Sequence, residues 1–235
     1  MDSPKHTGPA ARRISMLRRA LATLAAASVI PPAAHAARRP PRVRRATLDE
    51  VRQWLAGRHK AVLTFLGYSG AEYESPARML AEAAAVLAGQ DPSRVIVNIG
   101  ATADGIGAVY ALARQRGFET MGIVSSQAPE SGARWAPAVD HIFVIEDPTW
   151  GGADAAGNLH PTSRAMVTVS DELVAIGGGD IARVELQAGR EAGKRSRFIP
   201  AEFNHGVAQR KASQAGKPPP TRFASAIGET AWQFP

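Results

Sequence analysis

Glu172-Leu-Val-Ala-Ile176-Gly177-Gly178-Gly179-Asp180-Ile181-Ala182-Arg183-Val184-Glu185 is the stretch on which the fold turns. A short apolar run reads as a strand buried on both faces, three glycines stop it, and a helical pattern carries on over residues 180–192. Glycine lets the backbone enter left-handed conformations and lets a ligand approach the main chain. The helix start leaves N–H groups unbonded, with the positive end of the helix dipole behind them. Three consecutive glycines exceed what a turn needs, so the stretch reads as a ligand loop in which Gly177, Gly178, Gly179 and Asp180 meet the ligand. Glu185, a little over one turn into the helix, reaches the same edge. The alternative is a tight strand–helix turn that holds no ligand.

The same strand–loop–helix pattern recurs upstream. Residues 61–66 form an apolar run that ends at Gly67, and residues 75–89 are a helix closed by Gly89. Residues 94–99 are a second strand, ending at Gly100. Asp104 is placed to cap a helix that runs to Gly117, a natural C′ glycine. Residues 120–124 and 141–145 are two more strands. A Gly-rich loop over 150–158 and a helix near 163–169 lead to the strand 172–176, and residues 197–200 are the last strand. Apolar strands alternating with helices of 10–15 residues mean βαβ crossovers. The expected fold class is α/β: a Rossmann-like three-layer α/β/α domain over residues 46–205, with a mostly parallel sheet of about six strands. Ligands on such sheets bind beyond the carboxyl ends of the strands.

The net charge of +7 belongs to the leader of the chain, not to this domain. Residues 1–45 carry ten Lys/Arg against one acid, Asp2, and so hold +9, which leaves the other 190 residues at −2. A nucleic-acid partner for the core domain is therefore not expected. Within residues 1–45, Arg18-Arg19 precedes an apolar stretch, and Ala34-His35-Ala36 fits the small-x-small cleavage pattern. The segment reads as a basic leader and signal peptide cut near Ala36, which implies an exported, periplasmic protein. The arginines that follow at once (Arg38, Arg39, Arg42, Arg44 and Arg45) oppose translocation, so a cytoplasmic chain with a basic extension is the alternative. The apolar stretch is broken by Pro31-Pro32, and no stable membrane span is expected. Residues 206–235, with Lys217-Pro-Pro-Pro220, read as a surface tail with a short helix near 224–232. The chain has no cysteine, which excludes disulfides, thiolate metal sites and a cysteine nucleophile.

The remaining candidates lie on the strand-end loops. Gly67, Ser69 and Gly70 follow the first strand, where the Ser69 hydroxyl serves either a phosphate or a turn. Gly100 and Gly105 belong to a second Gly-rich loop, which contains no GxGxxG, so a dinucleotide fingerprint is absent. Thr162 and Arg164 open the helix before the triple-glycine strand, and a guanidinium there suits a phosphate or carboxylate. His59, His141, His160 and His205 show no metal spacing. No cofactor or metal is expected, and no Gly-x-Ser-x-Gly elbow is present.

Together these loops resemble the Lonely Guy (LOG) family, the lysine-decarboxylase-like proteins of the SLOG superfamily, over residues 61–204. The resemblance is carried by Gly67-Tyr-Ser-Gly70 with Tyr73, by residues 100–109, and by Met166 with Ser170-Asp171. It extends to Gly178-Gly179 and Glu185, spaced as in PGGxGTxxE, and to Gly193-Lys194. Gly177 stands at the motif's proline, Ile181 at its third glycine and Ala182 at its threonine. Thr162 falls at the family's arginine position, with Arg164 two residues later. The resemblance implies a nucleotide-like small-molecule ligand, a homodimer, and hydrolysis of the N-glycosidic bond of nucleoside monophosphates, with Glu185 and Arg164 as the catalytic pair. A non-catalytic nucleotide sensor is the second expectation, and a structural or interaction protein is the third.

Overall fold

Runs of β-branched and apolar residues bounded by glycine or polar loops build the sheet, because such strands bury both faces. The computed structural model describes residues 40–228 of the 235. Its seven strands are β1 (Arg42–Arg45), β2 (Ala61–Gly67), β3 (Val95–Ile99), β4 (Glu119–Ser125), β5 (His141–Ile145), β6 (Glu172–Ile176) and β7 (Arg195–Ile199). They form one sheet in the order β1-β5-β4-β3-β2-β6-β7, and every pairing is parallel. The helices are α1 (Leu48–Ala56), α2 (Pro76–Ala88), α3 (Ala108–Gln115), α4 (Gln127–Glu130), α5 (Pro161–Val169), α6 (Asp180–Glu191) and α7 (His205–Gln214). The chain is an α/β, Rossmann-like protein.

Alternate residues of the strands β2 to β7 face two separate cores. On one face Met79, Val109, Tyr110 and Ala128, from α2, α3 and α4, join Leu63, Phe65, Val97 and Val144. On the other, Val51, Leu55, Met166 and Leu186, from α1, α5 and α6, join Val62, Ile96, Phe143 and Leu173. Steps across the sheet from β2 towards β5 place their helices on the first face. Steps in the opposite direction, β1 to β2 and β5 through β7, place theirs on the second, as crossovers of a single hand require. The direction of winding reverses between β3, β2 and β6, so the helices that follow β2 and β6 lie on opposite faces of the sheet. Such a switch point is where a doubly wound sheet opens a crevice.

The structure departs from the sequence reading at both ends. The boundary expected at residue 45 cuts through the sheet, because Arg42–Arg45 pairs with His141, Ile142, Phe143 and Val144 as a seventh strand. Its four residues are all exposed, held by backbone pairing and by surface contacts such as Arg45–Glu146 at 2.7 Å, and they leave no apolar pattern to read. Thr47 and Glu50 then start α1 with a reciprocal capping box: Thr47 Oγ1 accepts from the Glu50 amide, and the Glu50 carboxylate accepts from the Thr47 amide at 2.7 Å. At the other end, α7 begins at His205, and residues 223–228 return to the body of the fold. The Ala226 amide and the Ser225 hydroxyl both donate to the Gly178 carbonyl, and Ile227 is buried. Residues 224–228 are not helical. The signal segment, its cleavage near Ala36 and the remainder of the expected terminal helix lie outside the described residues. No described helix is long and apolar enough to cross a membrane.

Candidate functional site

Glycines let the carboxyl ends of the strands fold tightly against one another. Gly105 has φ +59°, and a Cβ there would lie 2.1 Å from the Tyr68 carbonyl oxygen. The loop after β3 therefore presses on the loop after β2, and the Ile106 amide donates to Tyr68 O at 2.7 Å. The Ser69 and Thr102 hydroxyls bond to each other across the same seam at 2.6 Å. Asp104 does not cap a helix as expected. A single 3-10 turn (Gly105–Gly107) intervenes before α3, and the Asp104 carboxylate sits instead 3.7 Å from the Arg134 guanidinium.

The triple glycine divides its work. Gly177 has φ +59° and packs where a Cβ would be 2.5 Å from the Tyr68 ring. Gly178 has φ +125° and packs against Ala182, with its carbonyl occupied by Ser225 and Ala226. Both conformations demand glycine for packing. Gly179 differs, with φ −88° and nothing within 4 Å of its Cβ direction. It is the residue before α6, no side chain caps the helix there, and it lines the cavity described next. Gly179→Ala is expected to change stability by no more than about 1 kcal/mol, whereas Gly178→Ala loses about 1–3 kcal/mol, as read by urea unfolding of the two variants side by side.

Between these loops lies a cavity of about 580 Å³, within the range of small-molecule sites. The ends of β2, β3 and β4 form its floor through Phe65, Leu66, Ile99, Ile123 and Val124. Trp135 and Trp150 supply aromatic walls, and Thr162, Met166 and Glu185 reach it from α5 and α6. Of the residues singled out from sequence, Gly67, Ser69, Gly100, Thr162, Gly179, Asp180 and Glu185 line the cavity. Gly70, Gly105, Gly177 and Gly178 do not line it, and the last three shape its loops from behind. Gly70 gives its carbonyl to Lys211 Nζ at 2.7 Å. Arg164 also falls outside. It lies two residues from Thr162, and so points to nearly the opposite side of α5, where its guanidinium donates to the Leu159 carbonyl at 3.1 Å.

Glu185 is 5 % exposed. Burial pushes its carboxyl up to about 7, against the opposing effect of a hydrogen bond from Ser163. Ser163 Oγ donates to Glu185 Oε1 at 2.6 Å and itself accepts from the Gly152 amide at 2.7 Å. Behind Thr162 stands Asp147, fully buried and accepting from the Thr149 amide, the Thr149 hydroxyl and the Thr162 amide. Burial alone would raise Asp147, but these hydrogen bonds outweigh it and hold the carboxyl below its usual range. A charged Asp147 thus fixes the start of α5, while Glu185 is poised between its neutral and charged forms. The Thr162 hydroxyl adds to the interactions that hold the Asp147 carboxyl low.

Ser163, Asp147, Trp135, Trp150 and Arg134 join the site without a sequence signal of ligand binding. Asp147-Pro148-Thr149 carries a legible turn signal, in which the aspartate accepts from the residue two positions on. The two tryptophans reach the cavity from long loops and carry no local pattern. Among the described residues, no cluster of His, Asp and Glu is arranged to hold a metal ion.

No family model matches the chain, and no curated protein matches it. Among solved structures, it is similar to the structural-genomics protein TM1055, at 19% identity and a TM-score of 0.42, over 57% of this chain and 71% of that one. It is also similar to the molybdenum cofactor carrier protein MCP from Chlamydomonas reinhardtii, at 21% identity and a TM-score of 0.41, over 57% of this chain and 73% of that one.

Proposed function

We propose that the cavity above β2, β3 and β4 binds a nucleotide-derived small molecule, with Glu185 as the group that engages its ribose. One observation carries this reading: a buried carboxyl, raised to about 7, lines an aromatic-walled cavity of about 580 Å³ at the switch point of the sheet. Structural carboxylates are seldom buried without a cationic partner. A group that titrates near neutrality in a cleft is a site candidate on physical grounds. The resemblance to the LOG family, whose PGGxGTxxE spacing ends on Glu185, supports the same ligand class.

In the catalytic form of this reading, Glu185 assists hydrolysis of an N-glycosidic bond. Water adds at the anomeric carbon, the C–N bond breaks, and the base departs with a proton. A carboxyl half-protonated near pH 7 suits either direction of proton transfer, and its charged form stabilises an oxocarbenium-like centre. A non-catalytic sensor is the second reading, favoured by two observations. Ile181, at the motif's third glycine, is 40 % exposed beside the cavity, and Arg164 is turned to Leu159. Mass spectrometry of small molecules retained by the purified chain tests binding. Base release from a panel of nucleosides and nucleoside monophosphates then separates the two forms. Catalysis predicts turnover that Glu185→Gln lowers at least about a hundredfold. Equal rates in both proteins leave only the sensor, and an empty protein that no panel member stabilises thermally removes both.

A further inference from the structure

The charges around the cavity are arranged against a phosphate. The charged side chains that line it are Asp104, Asp180, Glu185 and Arg134, three acids to one base. Arg134 is already set against Asp104 at 3.7 Å. The start of α6 is the natural anion seat, but its first residue is Asp180, so a carboxylate already stands in the turn whose dipole would favour a phosphate. Arg183 does not change this balance, since its Nε lies 3.5 Å from that same carboxylate. The other nearby cations, Lys211 and Arg164, donate to the carbonyls of Gly70 and Leu159. Ile181 follows Asp180 with a branched, exposed side chain, which keeps a tetrahedral anion from the backbone.

What the cavity offers instead is uncharged. The Ser69 and Thr102 hydroxyls, bonded to each other, line it, as does Thr162 at the start of α5. Trp135 and Trp150 present aromatic surface of the kind that stacks on a heterocycle. Hydroxyl-bearing sugar and flat base are therefore matched, whereas a dianionic tail meets carboxylates. We infer that the site takes a neutral nucleoside in preference to the corresponding 5′-monophosphate. The inference rests on the nucleotide-derived reading above and narrows it to the uncharged form.

Calorimetric titration of the full chain with matched pairs tests this: adenosine and AMP, guanosine and GMP, cytidine and CMP, uridine and UMP. At least one nucleoside is expected to bind about tenfold or more tightly than its monophosphate, with the gap shrinking as salt is raised. Asp180→Asn is expected to narrow the same gap, because the monophosphate gains more than the nucleoside. A monophosphate that binds wild type as tightly as its nucleoside, or more tightly, overturns the inference and leaves the nucleotide-derived reading standing. A gap that neither salt nor Asp180→Asn alters overturns its electrostatic basis. If no member of any pair binds, the broader reading falls and takes the preference with it.

Discussion

Gly105→Ala is expected to lose about 3 kcal/mol or more of unfolding free energy, among the largest effects available from adding one methyl group to this chain. Two costs combine. The residue holds φ +59°, where a side chain adds strain of roughly 1 kcal/mol. The new Cβ would also lie 2.1 Å from Tyr68 O and 2.6 Å from Ser69 O. Those atoms are backbone, so no rotamer change relieves the clash, and the loops after β2 and β3 must separate. Separation breaks the Ile106–Tyr68 bond and the Ser69–Thr102 bond, which together hold one wall of the cavity. Gly100→Ala, five residues away in the same loop, is the control. Gly100 has no positive φ and open space beside it, so the variant stays within about 1 kcal/mol of wild type. Urea unfolding followed by circular dichroism reads both. A small loss at Gly105 would mean that the two loops part freely, and the cavity wall would then not be fixed by this seam.

The contrast between Gly105 and Gly100 also marks where sequence stops being informative. A glycine after a buried strand announces a special turn, but its letter does not say whether the missing Cβ makes room for a ligand or for another loop. Of the triple glycine, only Gly179 faces the cavity, while Gly177 and Gly178 make room for Tyr68 and Ala182. Glu185 and Thr162 were legible because each has a fixed offset from a recognisable strand or helix start. Arg164 failed as a partner because two residues on a helix turn a side chain about 200°. The strands β2 to β7 were legible from their apolar runs. Strand β1 was hidden because four exposed positions, three of them arginine, look like a continuation of the basic leader. The capping box at Thr47 and Glu50 was present in the sequence and marks the true start of α1. The return of residues 223–228 over Gly178 could not be read, since one buried Ile227 and two hydrogen bonds leave no periodicity.

Glu185→Gln is expected to remove a pH dependence of stability worth roughly 3 kcal/mol. The folded carboxyl is raised from 4.5 to about 7 by burial, with the Ser163 bond opposing, and each step of one pH between those values is worth about 1.36 kcal/mol. Because the folded state holds this proton more tightly than the unfolded state does, the stabilisation is complete below about pH 4.5. It is lost as pH rises through about 7, where the folded protein must carry a buried charge. Glutamine retains a carbonyl to accept from Ser163 and has no proton to lose. The difference in unfolding free energy, wild type minus Glu185→Gln, should therefore fall by roughly 3 kcal/mol between pH 4.5 and about pH 8.5, with its steepest part below 7. Background titration of the other acids is common to both proteins and cancels in the difference. A flat difference across that range would mean that water reaches the carboxylate and that Glu185 titrates as an ordinary surface acid. In that case the half-protonated state near neutrality disappears, and with it the physical basis for proton transfer at this site.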